Sequence, residues 1–331
     1  MSKKTKKEAK SKKETKADIY SVIEKEYGKG SVVWLGEKPD KEIEVIPTGS
    51  IGLDRAVGIG GYPRGRIVEI YGPESSGKTT LTLHAISEAQ KKGLACAFID
   101  VEHAFHRGYA EAIGVNTEKL LFTQPDSAEM ALGQLCKMVE SGELGLIVVD
   151  SVAALTPQAE IDGEAGKSHV GIQARLMGQA MRKLTGFASK KDTTVIFINQ
   201  IRHKIGVMFG SPETTSGGNA LKFYASLRLD VRRTGTEKVG DLAYSNKTKV
   251  KVVKNKCAPP FRLAEFSIVY GQGIERAGEV LDFAVEAGHV ARNGAFFYSD
   301  ETKLGQGRPR AIDFLKQNEE VFEKIKSKLG E

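Results

Sequence analysis

Cysteine is scarce in this chain of 331 residues: Cys96, Cys136 and Cys257 are too few and too widely spaced for a disulfide framework or a zinc pattern. The odd count fits a reducing compartment, and Cys96 and Cys136 read as small core residues, one in a strand and one in a helix. No run of about 18 apolar residues is present, which excludes an expected membrane span. The N-terminus lacks the apolar segment of a secretory signal. A cytoplasmic protein without a membrane partner is therefore expected. A broad basic field is also missing. The net charge is +7, but residues 1–20 hold eight lysines against Glu8, Glu14 and Asp18, so only two positive charges are left for the remainder. Any nucleic-acid site must then be local rather than a whole-surface field. No internal repeat is found. What is present is an ordinary soluble composition, 40% hydrophobic and 27% charged, with length for about two domains.

Along the chain, residues 1–17 form a lysine-rich, low-complexity tail, read as a disordered solubilising arm with weak DNA binding as the alternative. Residues 18–41 hold a helix at 18–28, with Ile19, Val22, Ile23 and Tyr27 on one side, and a linker marked by Pro39. Such a helix cannot bury its face alone, so it must pack on the main domain or on another subunit. Residues 42–275 read as strand, helix, strand. The apolar strand candidates are 67–71, 95–100, 144–149 and 193–198, with a further short strand at 120–122, which argues for a parallel sheet. Stretches 227–231, 249–253 and 262–270 read as an antiparallel extension. Residues 276–331 read as a small domain, with a helical stripe of Val280, Leu281, Ala284 and Val285 and a strand at 296–298. The fold class expected is α/β, a central mostly parallel twisted sheet flanked by helices, plus an N-terminal helix and a small C-terminal α+β domain.

Residues 72–79 read GPESSGKT and match the phosphate-loop pattern G-x-x-x-x-G-K-[ST] at every fixed position. An apolar strand precedes them, and Leu81, Leu83, Ala85, Ile86 and Ala89 follow on one side of a helix expected to stop near Gly93. Gly72 and Gly77 let the backbone approach phosphates; after Pro73, which has no N–H to give, the N–H groups of Glu74, Ser75, Ser76 and Thr80 and the helix N-terminus form an anion nest. Lys78 can reach the β- and γ-phosphates, and the Thr79 hydroxyl can ligate Mg²⁺. ATP or a related triphosphate with Mg²⁺ is the cofactor expected.

Other positions fit that chemistry. Residues 144–150 form an apolar strand ending in Asp150, suited to the Mg²⁺ shell. Residues 98–103 end another strand with Asp100, Glu102 and His103. Glu102 can act as general base, Asp100 is the competing candidate, and a lone His103 is more often structural. Gln200 ends a third strand, where it either orients water and senses the γ-phosphate or merely caps the strand. Two stretches, 160–175 and 201–218, lack strong periodicity, and loops this long in a compact domain are usually functional or disordered. The second holds Arg202, Lys204, an apolar trio at 207–209, and Gly217 and Gly218 before a helix start at Asn219. That composition suits a nucleic-acid backbone, with an ordinary active-site lid as the alternative. Lys254 and Lys256 lie at a strand end, either as a solvated edge or as charges supplied across a subunit interface.

Taken together, residues 72–80 (GPESSGKTT), 99–104, 147–157 (IVVDSVAALTP), 198–209 (INQIRHKIGVMF), 212–225 and 251–256 (KVVKNK) resemble the signatures of the bacterial RecA recombinases, from about residue 19 to residue 329. The resemblance implies a P-loop NTPase core of RecA type and an ATP-dependent strand-exchange protein that polymerises on single-stranded DNA, pairs it with duplex and stimulates self-cleavage of SOS repressors of LexA type. It implies Lys78, Thr79 and Asp150 as phosphate and Mg²⁺ residues, Glu102 as general base and Gln200 as the switch to the second DNA loop. Tyr109 and Tyr270 would meet the adenine. Ser168, Arg175, Arg202, Gly217, Gly218 and Asn219 would contact DNA, Lys254 and Lys256 a neighbour's ATP, and Phe223 the subunit interface. Three features depart from the best-known members: residues 106–108 (HRG) where an acidic residue is usual, His203 in the second loop, and an end at Glu331 without a long acidic tail, which implies weaker restraint on duplex uptake. A ring-forming helicase-like ATPase with the same core is the alternative within the enzyme class.

Overall fold

The computed structural model describes residues 19–37, 42–164, 171–203, 210 and 212–330. The chain divides into two units, Met1–Glu42 and Ile43–Glu331. In the first, residues 19–27 are helical and Leu35–Glu37 form a 3₁₀ turn.

In the second unit the apolar runs become five strands: β1 (Ile67–Gly72), β2 (Cys96–Asp100), β3 (Leu120–Thr123), β4 (Leu146–Asp150) and β5 (Thr194–His203). Helices α1 (Ile51–Val57), α2 (Lys78–Lys91), α3 (Arg107–Ile113), α4 (Ala128–Ser141) and α5 (Ile172–Lys191) are interleaved with them. Then follow β6 (Glu213–Thr215), α6 (Ala220–Tyr224), β7 (Leu227–Val239), β8 (Leu242–Asn255), β9 (Leu263–Val269) and β10 (Gly273–Ile274). These ten strands make one sheet in the order β10-β9-β8-β7-β1-β5-β4-β2-β3, with β6 paired to β5. The pairs from β7 through β1, β5, β4 and β2 to β3 are parallel. The pairs among β7, β8, β9 and β10, and β5 with β6, are antiparallel.

Strands buried on both faces must be apolar at successive positions, and the side-chain alternation then feeds two cores. Val68, Ile70, Phe98, Val148, Ile196 and Ile198 join the α2 residues in one cluster. Ile67, Ala97, Ile99, Ile147, Val149, Val195 and Phe197 join α4 and α5 in the other. The α2 helix differs from the one-sided stripe read from its sequence. It is buried nearly all round, His84 and Ser87 included, because α3 and β10 also pack on it: Ser87 Oγ donates to the Gly114 carbonyl after α3 at 3.2 Å, and His84 meets Ile274 of β10. His84 is held neutral: its Nε2 accepts the Ile274 N–H at 2.9 Å, and burial pushes its pKa down to about 3.

The extension is longer than its apolar patches. β7 and β8 have 13 and 14 residues, against the five-residue stretches read at 227–231 and 249–253. Backbone pairing continues from Leu227↔Asn255 to Val239↔Leu242 through polar residues, where hydrophobic periodicity gives no signal.

Residues 276–330 have their own sheet, β11 (Ala291–Asn293), β12 (Phe296–Ser299) and β13 (Thr302–Gln306), with helices α7 (Arg276–Glu286), α8 (Gly307–Gln317) and α9 (Glu319–Lys328). Val280, Leu281, Phe297, Leu304, Ile312 and Ile325 centre their core. A buried carboxylate joins this part to α1. Glu279 Oε1 accepts from Ser50 Oγ at 2.7 Å and from Gly52 N at 3.1 Å, while Oε2 has no partner among the described residues. A Cβ on Gly52 would stand 3.1 Å from that carboxylate and 3.3 Å from the Phe283 ring, so a side chain there would press on both. All three cysteines are free. Among the described residues no helix is long and apolar enough to cross a membrane.

Burial pushes the Glu279 carboxyl up to about 7. A folded pKa above the unfolded value means that the folded state binds the proton more tightly, so the destabilisation is full above pH 7 and is relieved as pH falls toward the unfolded pKa. Denaturant unfolding at pH 8 and pH 6 checks this: the parent should gain about 1 kcal/mol more than Glu279→Gln over that interval.

Candidate active site and its neighbouring loops

β1 ends at Gly72 and α2 begins at Lys78, so the intervening turn leaves a buried strand and enters a buried helix. Gly72 is required by space and Gly77 by its left-handed backbone. A Cβ on Gly72 would lie 2.1 Å from the Val231 carbonyl oxygen, and one on Gly77, whose φ is +98°, 2.4 Å from Ile268 Cδ1. Lys78 Nζ donates to the Pro73 carbonyl at 2.6 Å. Burial lowers the pKa of this ammonium, opposed by Asp150, Glu102 and Glu74. The Ser76 hydroxyl is buried without a partner among the described residues. Thr79 Oγ1 donates to Asp150 Oδ2 at 2.8 Å, and the Thr80 and Tyr109 hydroxyls are 2.8 Å apart. A cleft of about 330 Å³ opens beside residues 75–80, with Tyr109, Asn246, Ile268 and Tyr270 on its walls. Tyr270 donates its hydroxyl to Asn246 Oδ1 at 2.6 Å. Of the expected cofactor-binding residues, Ser75 through Thr80, Tyr109 and Tyr270 border this one space, Gly72, Pro73 and Glu74 lead into it, and Asp150 reaches it through Thr79.

These residues fit a triphosphate and a divalent cation. The orphaned Ser76 hydroxyl and the desolvated Lys78 ammonium both lack an anionic partner that phosphate oxygens would supply. Burial pushes the Asp150 carboxyl up to about 7, with Glu102 and Asp100 pushing the same way, and a nearby cation would reverse that.

At the C-terminal ends of the parallel strands, Glu102 Oε1 accepts from the Ser151 hydroxyl and from Gln200 Nε2, the latter at 3.0 Å. Glu102 is exposed. Asp100 is committed elsewhere: its carboxylate accepts from Ala104 N at 3.3 Å, Phe105 N at 3.1 Å and Gln124 Nε2 at 3.0 Å. That leaves Glu102 as the carboxylate free to meet a water. Ser151 was not singled out from the sequence. Its position beside Asp150 is the only signal, and a single serine after a strand carries no pattern.

The stretch read as a second loop is partly a hairpin. β5 and β6 pair at Ile201↔Thr215, Arg202↔Thr214 and His203↔Glu213. Arg232 braces β6 with two bonds to the Glu213 carboxylate, at 3.0 and 2.6 Å, and holds its pKa below the usual range. Arg202 is exposed near the open end. Gly217 and Gly218 have φ of +79° and +76°, and added Cβ atoms would lie 2.7 Å from Val152 Cγ1 and 2.7 Å from Ala174 Cβ. Both glycines therefore have a packing role in addition to any backbone donor role. Asn219 is exposed at the start of α6, and Arg175 is exposed in the first turn of α5. Ser168, Lys204 and residues 207–209 lie outside the described residues.

The two lysines differ. Lys254 Nζ caps α6, donating to the Lys222 carbonyl at 2.7 Å and the Phe223 carbonyl at 2.8 Å. Burial, then Lys256 and Arg228, lower its pKa. Lys256 is exposed. Phe223 is 72% exposed, a large apolar side chain left uncovered by its own chain.

Residues 14–275 match the family model of the RecA N-terminal domain, and residues 278–331 match that of the RecA C-terminal domain. The chain is 58% identical over 311 residues to Protein RecA of Gluconacetobacter polyoxogenes, spanning 94% of this chain and 89% of that protein. It is 59% identical over 310 residues to Protein RecA of Azospirillum lipoferum (strain 4B), spanning 93% and 86%. Protein RecA of Streptomyces avermitilis is 59% identical over 312 residues, spanning 93% and 83%. Among solved structures, a RadB recombinase shares the fold with a TM-score of 0.52 and 24% identity, over 70% of this chain and 98% of that one. The chain belongs to the RecA family.

Proposed function

We propose that this protein is a DNA-dependent ATPase that forms helical filaments on single-stranded DNA and pairs that strand with homologous duplex. As a RecA-family protein it acts in DNA recombination and repair, with binding of ATP and DNA. The observation that carries the coupled reading is the hydrogen bond from Gln200 to Glu102. It joins the carboxylate beside the phosphate loop to the strand that runs into the second loop.

In this reading the backbone of residues 72–80 and Lys78 hold the phosphates, and Thr79 and Asp150 hold Mg²⁺. ATP supplies the anhydride that is cleaved. Glu102 accepts the proton of the attacking water. Its exposed position and single acceptor oxygen shared by Ser151 and Gln200 leave the other oxygen for that water. Gln200 reports the phosphate state to the residues after it. Tyr109 and Tyr270 flank the base. The segments 160–175 and 201–218 contact DNA through Ser168, Arg175, Arg202, Gly217, Gly218 and Asn219. Phe223 docks on a neighbouring subunit, and Lys254 and Lys256 face that neighbour's ATP.

We further propose a working division into the tail 1–17, the subunit-packing segment 18–41, the ATPase core 42–275 and the C-terminal part 276–331. The same filament, in the cytoplasm, would stimulate self-cleavage of SOS repressors of LexA type.

Lys78→Ala should abolish ATP turnover in the presence of single-stranded DNA. Glu102→Gln should retain binding of a slowly hydrolysed ATP analogue while turnover falls about 100-fold or more; turnover near the parent rate removes Glu102 as base. DNA affinity, measured by fluorescence anisotropy, should fall about tenfold between 50 and 200 mM salt if only two or three phosphates are neutralised, and more steeply with each further contact. A flat response would contradict backbone contacts as the main source of affinity.

A further inference from the structure

A buried polar cluster lies between the strand that enters the phosphate loop and the return of the second loop. Glu69 of β1 is fully buried, as is Asn199 of β5. β1 and β5 run parallel with Tyr71 opposite Asn199 and Gly72 opposite Gln200. Asn199 Nδ2 donates to Glu69 Oε1 at 3.0 Å and to the Ser216 carbonyl at 3.1 Å. Its Oδ1 accepts from the Gln200 backbone N–H at 2.9 Å. Glu69 Oε2 accepts from Arg228 Nε of β7, whose guanidinium lies 4.8 Å from the centre of the Tyr71 ring.

The amide's orientation follows from its partners. Turning it over would set the NH₂ against the Gln200 N–H, and the oxygen against a carboxylate and a carbonyl. Both N–H groups and the oxygen are therefore used, and each has a different job. One N–H satisfies a buried carboxylate. The other ties down Ser216, the residue before Gly217 and Gly218, which sit tight against Val152 and Ala174. The oxygen fixes the backbone of Gln200, whose side chain reaches Glu102. The ladder between β5 and β4 ends at Phe197↔Val149, so β4 does not extend to Gln200.

We propose that Asn199 is a positioning residue that ties the return end of the second loop to the strand entering the phosphate loop. This rests on the DNA-coupled ATPase reading. No other residue type of similar size supplies two donors and one acceptor in this arrangement. Aspartate would set a second carboxylate against Glu69, and leucine would leave Glu69, Ser216 and Gln200 without partners.

The test uses the full chain with Asn199→Asp and Asn199→Ala. Three quantities are measured: turnover with and without saturating single-stranded DNA, the KM for ATP, and amide exchange at residues 213–219 against residues 227–231. In both variants the ratio of DNA-stimulated to DNA-free turnover should drop about tenfold, the scale of one lost buried hydrogen bond. The KM for ATP should hold within about threefold. Exchange at 213–219 should quicken while 227–231 stays protected. The alanine variant, which adds no charge, gives the same readouts if the aspartate variant does not fold. Stimulated and DNA-free rates that fall in parallel, or exchange at 213–219 equal to the parent's, overturn the proposal. A parent chain that shows no DNA stimulation fails the underlying reading instead, and the exchange comparison then decides the tether on its own.

Discussion

The constraint on which the rest depends is that four parallel strands, β1, β2, β4 and β5, are sealed on both faces along their apolar runs. Two apolar clusters take alternate side chains of β1, β2, β4 and β5, so those faces cannot carry solvated chemistry. Polar groups must appear where the strands stop. Gly72, Asp100, Asp150 and Gln200 are all strand-end or near-end residues, and the registers Gly72↔Gln200 and Asp100↔Asp150 bring them into one row. The site is thus a consequence of parallel pairing: each strand delivers one functional group at its C-terminal end, and no long loop is needed to gather them.

Within that row, charge is balanced across several partners. Asp150 and Lys78 are each desolvated, and each counters part of the other's shift. Opposite charges taken out of water without direct contact are not a strong source of stability. Their placement here is better understood as readiness: Thr79 and Asp150 are already joined, and the Ser76 hydroxyl is buried without a partner among the described residues. Buried Glu69 is the exception to the sealed sheet. It is tolerated because Arg228 and Asn199 satisfy its two oxygens, so this buried charge also fixes how β1, β5 and β7 sit together.

Much of this was legible in the sequence for a physical reason. Apolar runs such as residues 146–149 and 195–198 are long enough to be buried on both faces, and GPESSGKT needs its glycines, Gly72 for space and Gly77 for a positive φ. The outer halves of β7 and β8 were not legible, because a ladder held by backbone bonds is indifferent to its side chains. Nor was the β5–β6 hairpin, which is three residues deep and built of polar residues. Ser151 and Asn199 were invisible in a different way: their roles depend on contacts to Glu102, Glu69 and Ser216, far away along the chain, and neither residue type announces such a contact.

The two lysines at the end of β8 show how a local bond bears on assembly. Lys254 donates to two carbonyls at the end of α6, the helix that carries exposed Phe223. A hydrogen bond from a charged donor contributes about 1.5–3 kcal/mol. For Lys254 to reach a neighbour's phosphate it must first give up this cap, so its gain there is offset by the loss here. Lys256 is exposed and has its backbone N–H fixed to the Ser226 carbonyl at 2.8 Å, so it can turn toward a neighbour without disturbing α6. In the proposed filament the two lysines are therefore unequal. Lys256 adds charge at small local cost, whereas Lys254 either stays as the cap that presents Phe223 to the next subunit or leaves it and loosens that same contact.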